Sequence, residues 1–232
     1  MNKVIWKDID SSTIKGLMIC ELPPITKPRM RIQETAIDGV DGSNIEELGY
    51  ESYDKSILIG LHNDFDINEV IKYFSGEGNI VFSNESDKYY KARIFEQIDY
   101  ERLLRYRTAD VKFRVQPFKY EYEENKNISI TSDDSSYTIT NKGNYFAKPL
   151  MIIKGSGKIT IKLNNNLLFT YEFPDDDIEV VIDSQKQDAY LGSVLKNRYM
   201  TGDFPKFEIG KNIITWEGTI ESIEFSLVSR WL

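Results

Sequence analysis

Ile223-Glu-Phe-Ser-Leu-Val-Ser-Arg-Trp231 alternates apolar and polar side chains with a period of two. That places Ile223, Phe225, Leu227 and Trp231 on one face of a β-strand and Glu224, Ser226 and Arg230 on the other. A slip of one residue would carry the apolar set into water, so the register is expected to be firmly fixed. Working back from this strand, apolar runs recur at short intervals: Ile128 to Ile130, Tyr137 to Thr140, Leu150 to Ile153, Lys158 to Leu163, Leu167 to Phe173, Ile178 to Ile182 and Asn212 to Trp216. Turn-forming clusters punctuate them, namely Asn141-Lys-Gly-Asn144, Gly155-Ser-Gly157, Asn164-Asn-Asn166, Pro174-Asp-Asp-Asp177, Gly202-Asp-Phe-Pro205 and Gly210-Lys-Asn212. Several short strands at this spacing predict a β-sandwich or barrel.

The preceding residues read as mainly β with one helix. Lys55-Ser-Ile-Leu-Ile-Gly-Leu61 and Val111-Lys-Phe-Arg-Val115 alternate as strands with one wet side. Between them Asp66 and Glu69 form a capping-box pattern, and Ile67, Val70, Ile71 and Phe74 recur at helical spacing until Gly76. Strands are expected at Asn79 to Ser83 and Lys91 to Ile98, separated by a polar turn over Asn84 to Lys88. After Pro117-Phe118 the composition shifts, through Lys119 to Asn127, toward Ser/Thr/Asn-rich strands. A domain boundary is expected there, giving domains over 1–125, with a short helix near 66–76, and 126–232.

With 232 residues, 41% hydrophobic and 12% aromatic, the chain can bury two cores. No apolar run approaches the roughly 18 residues of a membrane helix, and Met1 to Ser12 lacks the charge and apolar centre of a signal peptide, so no membrane association is expected. A single cysteine, Cys20, permits no internal disulfide and fits synthesis in a reducing cytoplasm. The net charge is -8, divided as -6 over residues 1–125 and -2 over 126–232. Neither half is basic enough to suggest sequence-specific nucleic-acid binding.

Catalytic chemistry finds little support. His62 is the only histidine, so a polyhistidine zinc site is impossible and a surface turn is the expected setting. Gly155-Ser-Gly157 lacks the spacing of a nucleophile elbow and reads as a turn. Asp175-Asp-Asp177 reads as a solvated hairpin tip. In Asp38-Gly-Val-Asp-Gly42, Val40 occupies a position where a calcium loop needs a carboxylate, and the glycines suggest a tight turn instead. No cofactor, metal or catalytic residue is expected. Trp231 and Trp216 read as core, and Arg102, Arg105 and Arg107, beside Tyr100 and Tyr106, as a solvated hairpin. The aromatic residues leave a carbohydrate-binding module open as an alternative, and chance carboxylate pairs leave a glycoside hydrolase as a remoter one.

Taken in order, several segments resemble the distal tail protein family of long-tailed, siphovirus-type bacteriophages. They are Asp10-Ser-Ser-Thr-Ile-Lys-Gly-Leu17, Ile37-Asp-Gly-Val-Asp-Gly-Ser43, Phe82 to Arg93, Val111 to Phe118, Asn141-Lys-Gly-Asn144 with Pro149, Gly155-Ser-Gly157, and Gly202-Asp-Phe-Pro205 with Gly210-Lys-Asn212. Val40 stands where the family often carries Arg. The resemblance implies an N-terminal ring-forming domain and a C-terminal galectin-like β-sandwich. It further implies a homo-hexamer at the distal end of the phage tail in the virion, made in the bacterial cytoplasm. Its partners would be the tail tube protein, the tail-associated hub or fibre protein, and a receptor-binding protein. The stretch from Pro28 to Gly42 is polar, glycine-bearing and lies between strands, which makes Arg29, Arg31, Asp38, Gly39, Asp41 and Gly42 the candidate oligomer or partner contacts.

Overall fold

The computed structural model describes residues 2–39, 41–62, 64–122, 128–131, 136–174, 177–227 and 229–232. Val40, the expected boundary at 125/126, and Asp175 and Asp176 of the aspartate run lie outside the described residues. Contacts divide the chain into two compact units, Met1–Tyr122 with Leu232, and Glu123–Trp231.

The first unit contains β1 (Val4–Trp6), β2 (Ile9–Asp10), β3 (Leu17–Glu21), β4 (Met30–Ala36), β5 (Ser43–Tyr50), β6 (Tyr53–Leu61), α1 (Ile67–Tyr73), β7 (Glu77–Phe82), β8 (Lys88–Arg93), α2 (Tyr100–Tyr106) and β9 (Thr108–Glu121). Its main sheet runs β2-β1-β7-β8-β9-β6-β3, with antiparallel neighbours. Alternate residues of these strands, including Trp6, Ile57, Ile59, Ile80, Phe82, Tyr90, Val111, Phe113 and Val115, face one core, where Val70, Tyr73 and Phe74 from the α1 region and Leu103 of α2 meet them. Asp66 caps α1 as its spacing predicts, its carboxylate accepting from the N–H of Asn68 and Glu69. Pro117 sits inside β9, where pairing with β8 shifts between Tyr90/Lys119 and Ala92/Val115. A bulge is a place where a strand tolerates a residue that cannot donate to the ladder.

Two expectations fail here. Tyr100 to Tyr106 forms a second helix rather than a hairpin, capped by Asp99 on the N–H of Arg102 and ended by Arg107 in the left-handed region at φ 64°. The expected strand to Ile98 stops at Arg93.

The second unit contains β10 (Ile128–Thr131), β11 (Ser136–Asn141), β12 (Leu150–Leu163), β13 (Asn166–Glu172), β14 (Glu179–Asp183), β15 (Asp188–Leu191), β16 (Val194–Leu195), β17 (Met200–Gly202) and β18 (Gly210–Ser226). β12 and β18 pair along their length but shift register between Lys154 and Gly155 and between Ser156 and Thr160. On one side of these shifts the order is β10-β18-β12-β14-β15-β16; on the other, β11 and β13 flank the same two strands and β17 follows β13. Long strands that change sheet at a bend are how two faces are made from one ladder. Met151, Ile153, Val180, Ile182 and Phe225 from one half, and Ile139, Ile159, Ile161, Phe169, Tyr171 and Ile214 from the other, share a single core, so the unit is a β-sandwich.

Gly155-Ser-Gly157 is therefore not a turn. It lies within β12 at the bend, where a Cβ on Gly155 would come 2.4 Å from the Thr219 carbonyl oxygen. Opposite it, Gly218 has φ +102° and would place a Cβ 2.5 Å from the Lys158 carbonyl oxygen. The two expected strands at Asn212 and Ile223 are likewise one strand, β18. Its alternation ends at Ser226: Ile223 and Phe225 are buried, but Arg230 is buried and Trp231 only half-buried, contrary to the expected faces. The Arg230 guanidinium accounts for this by donating to the Phe146 carbonyl at 2.6 and 2.9 Å and lying over the Phe146 and Tyr145 rings. Trp216 packs against the core without being enclosed by it.

Candidate functional site

The six candidate contact residues fall on one β-hairpin, β4–β5, which forms a sheet of its own. Met30 pairs Tyr50 and Ala36 pairs Ser43, with a register shift between Arg31 and Ile32 that leaves Leu48 as the extra residue. Gly49, at φ +93°, supplies the left-handed backbone beside this bulge, and the Arg31 guanidinium donates to the freed Leu48 carbonyl at 2.9 Å. The base is closed by the Glu51 N–H donating to the Arg29 carbonyl at 2.9 Å. At the tip Gly39 and Gly42 adopt φ +81° and +90°, with open space around both.

The hairpin therefore separates the candidates. Arg29 and Arg31 sit at its base, Asp38, Gly39, Asp41 and Gly42 at its tip, on the order of 20 Å away along the ladder. What sequence reasoning missed is the ladder between them. Neither face of either strand is buried, so no period-two signal marks them. Ile32, Ile37, Ile45 and Leu48 are all exposed, at 46 to 57%. A two-stranded ribbon with two wet faces is marginally stable by itself and leaves its edges unpaired.

The first unit also encloses a charged cluster. Glu85 accepts from Lys119 Nζ at 2.8 Å and from the Tyr90 hydroxyl at 2.6 Å. Lys55, 2% exposed, donates to the Pro24 carbonyl at 2.8 Å and lies 5.0 Å from the Tyr90 ring centroid. Burial pushes the Lys55 ammonium down to about 8, with Glu85 opposing and Lys119 assisting. Burial also raises the Tyr90 hydroxyl, aided by its bond to Glu85, so it stays a donor at neutral pH. Glu85 thus gathers the Lys119 ammonium and the Tyr90 hydroxyl, while the Lys55 ammonium is held by the Pro24 carbonyl, which makes the group a structural network.

The other chemically suggestive residues stand apart from both places. His62 is exposed, and its backbone N–H donates to the Gly16 carbonyl at 2.8 Å. Among the described residues no group of three or more His, Cys, Asp or Glu is arranged to hold a metal ion. No described helix is long and apolar enough to cross a membrane.

No protein-family model matches the chain, and no curated protein matches it in sequence. Its fold nevertheless has a close counterpart among solved structures. It matches the crystal structure of SPP1 Dit (gp 19.1), described as a paradigm of the hub adsorption apparatus in Gram-positive infecting phages. The match has a TM-score of 0.68 and covers 100% of both chains at 12% identity. The likeness to distal tail proteins read from the sequence thus holds at the level of the fold.

Proposed function

We propose that this protein is a structural component of the tail tip of a long-tailed phage. In this reading it forms a hexameric ring in the virion, joining the tail tube to the tail-associated hub or fibre and a receptor-binding protein. The observation that carries the reading is the structural match over the whole of both chains, which includes the hairpin-bearing unit as well as the sandwich. The ring-forming domain through residue 125 and the galectin-like domain from 126 are part of the same proposal, as is the absence of enzymatic activity.

The β4–β5 hairpin is the proposed subunit contact. Its exposed isoleucines and free edges gain a second layer when they lie against a neighbouring copy, and a head-to-tail contact closes into a ring when its rotation divides a full turn. Native mass spectrometry of the purified protein tests this. The wild type is expected at six times the monomer mass, and the quadruple variant Arg29→Glu, Arg31→Glu, Asp38→Lys, Asp41→Lys as the monomer. Hexamers from the variant would remove the hairpin assignment alone. A wild type that stays monomeric at high concentration and binds no tail component would remove the ring itself.

A further inference from the structure

The second unit holds an open cleft of about 450 Å3, lined by Leu168, Gln187, Gly202, Asp203, Phe204 and Lys206. Leu168 lies on β13, Gly202 ends β17, and Asp203 to Lys206 follow it, whereas Gln187 comes from the turn between β14 and β15. The cleft thus draws on both halves of the sandwich, at the kind of loop position where such folds carry binding groups. Its backbone is pinned: the Asp203 N–H donates to the Leu168 carbonyl at 3.0 Å and the Gln187 N–H to the Asp183 carbonyl at 2.8 Å. Gly202, at φ +117°, is needed for the close approach, because a Cβ there would meet the Leu168 carbonyl oxygen at 2.5 Å. Gln187 holds the left-handed region at φ 59°, an uncommon backbone for a residue with a side chain.

The lining combines an apolar part with polar groups that the protein itself does not use. Leu168 and Phe204 are half-buried against the sandwich core. Neither the Gln187 amide nor the Asp203 carboxylate has a side-chain partner among the described residues, and Lys206 lies 5.7 Å from the Phe146 ring centroid rather than on Asp203, three residues away. Elsewhere in this unit Lys154, Lys162, Lys186 and Lys196 each meet a carboxylate. An apolar ligand would strand these polar groups away from water. An anion would face Asp203. A sugar ring has an apolar C–H face and a rim of hydroxyls that both donate and accept, which matches aromatic and aliphatic surface beside one carboxylate, one amide and one ammonium.

We propose that this cleft is a saccharide-binding subsite for a neutral pyranose, a function additional to ring formation and not dependent on it. Saturation-transfer NMR on the full-length protein, with the methyl glycosides of glucose, galactose, N-acetylglucosamine and rhamnose as probes, tests it. At least one probe is expected to bind saturably in the millimolar range, with Asp203→Ala and Gln187→Gly each weakening it about tenfold or more. Both side chains are exposed, so unchanged thermal unfolding of the variants separates lost binding from lost folding. No binding by any of the four probes, or binding that survives both substitutions unchanged, overturns the proposal whatever the oligomeric state.

Discussion

Replacing Glu85 by Ala removes the carboxylate that pairs with Lys119 in the first unit's buried network. The two side chains of that pair are 8% and 10% exposed, and the ammonium and the Tyr90 hydroxyl lose their acceptor together. Breaking a buried pair by deleting one partner costs about 3 to 5 kcal/mol, because the remaining charge keeps its desolvation penalty. Lys55 adds to the cost, since its ammonium and that of Lys119 repel each other once Glu85 is gone. Glu85→Gln keeps the hydrogen-bond acceptor while removing the charge, and a smaller loss is expected. Hydrogen exchange followed by peptide mass spectrometry resolves the two units separately. Core amides of β7, β8 and β9 are expected to exchange on the order of a hundred- to a thousandfold faster in Glu85→Ala, with the sandwich peptides unchanged. A loss under about 1 kcal/mol would refute the view that this carboxylate neutralises a buried charge.

The Lys55 ammonium is held near 8 in the folded state, so between pH 8 and the ordinary lysine value of 10.5 the unfolded chain binds the proton that the folded one has released. Stability from this residue therefore rises with pH across that window, and the difference in urea midpoint between wild type and Lys55→Met is expected to move in the wild type's favour from pH 7.5 to 9.5; a pH-independent difference would count against it. Gly157→Ala meets open space and is expected to cost only its left-handed backbone strain, about 1 to 2 kcal/mol. Gly218→Ala adds a collision with the Lys158 carbonyl, so its thermal midpoint is expected to fall clearly further, and equal shifts would contradict the bend geometry.

What could be read from the sequence was what burial writes into it. The helix after Asp66 was legible because its cap and its apolar spacing agree: Val70 and Phe74 do enter the core and Ile67 packs against it, although Ile71 is exposed and Tyr73, outside the expected set, is buried. The helix from Tyr100 to Tyr106 was not, because only Leu103 among its residues is fully buried and the arginines dominate its pattern. Glycines misled in the opposite direction. Gly155 and Gly157, read as a turn, mark instead the bend of a continuous strand, and nothing local distinguishes a bent strand from two strands and a turn until the pairing partner is known. The candidate contact residues were found at the ends of a hairpin whose ladder, wet on both faces, carries no periodic signal. Gly202-Asp-Phe-Pro205 was legible as a turn but not as a cleft wall, since Gln187 and Leu168 reach it only through the fold.

The shared strands of the sandwich have a mechanical consequence. Because β12 and β18 each run through both faces, a pull applied to either face is carried around the bend by covalent backbone, not across the gap by side-chain contacts alone. Separating the two faces would therefore have to open the bend itself, where Gly155 and Gly218 hold the two strands in close approach.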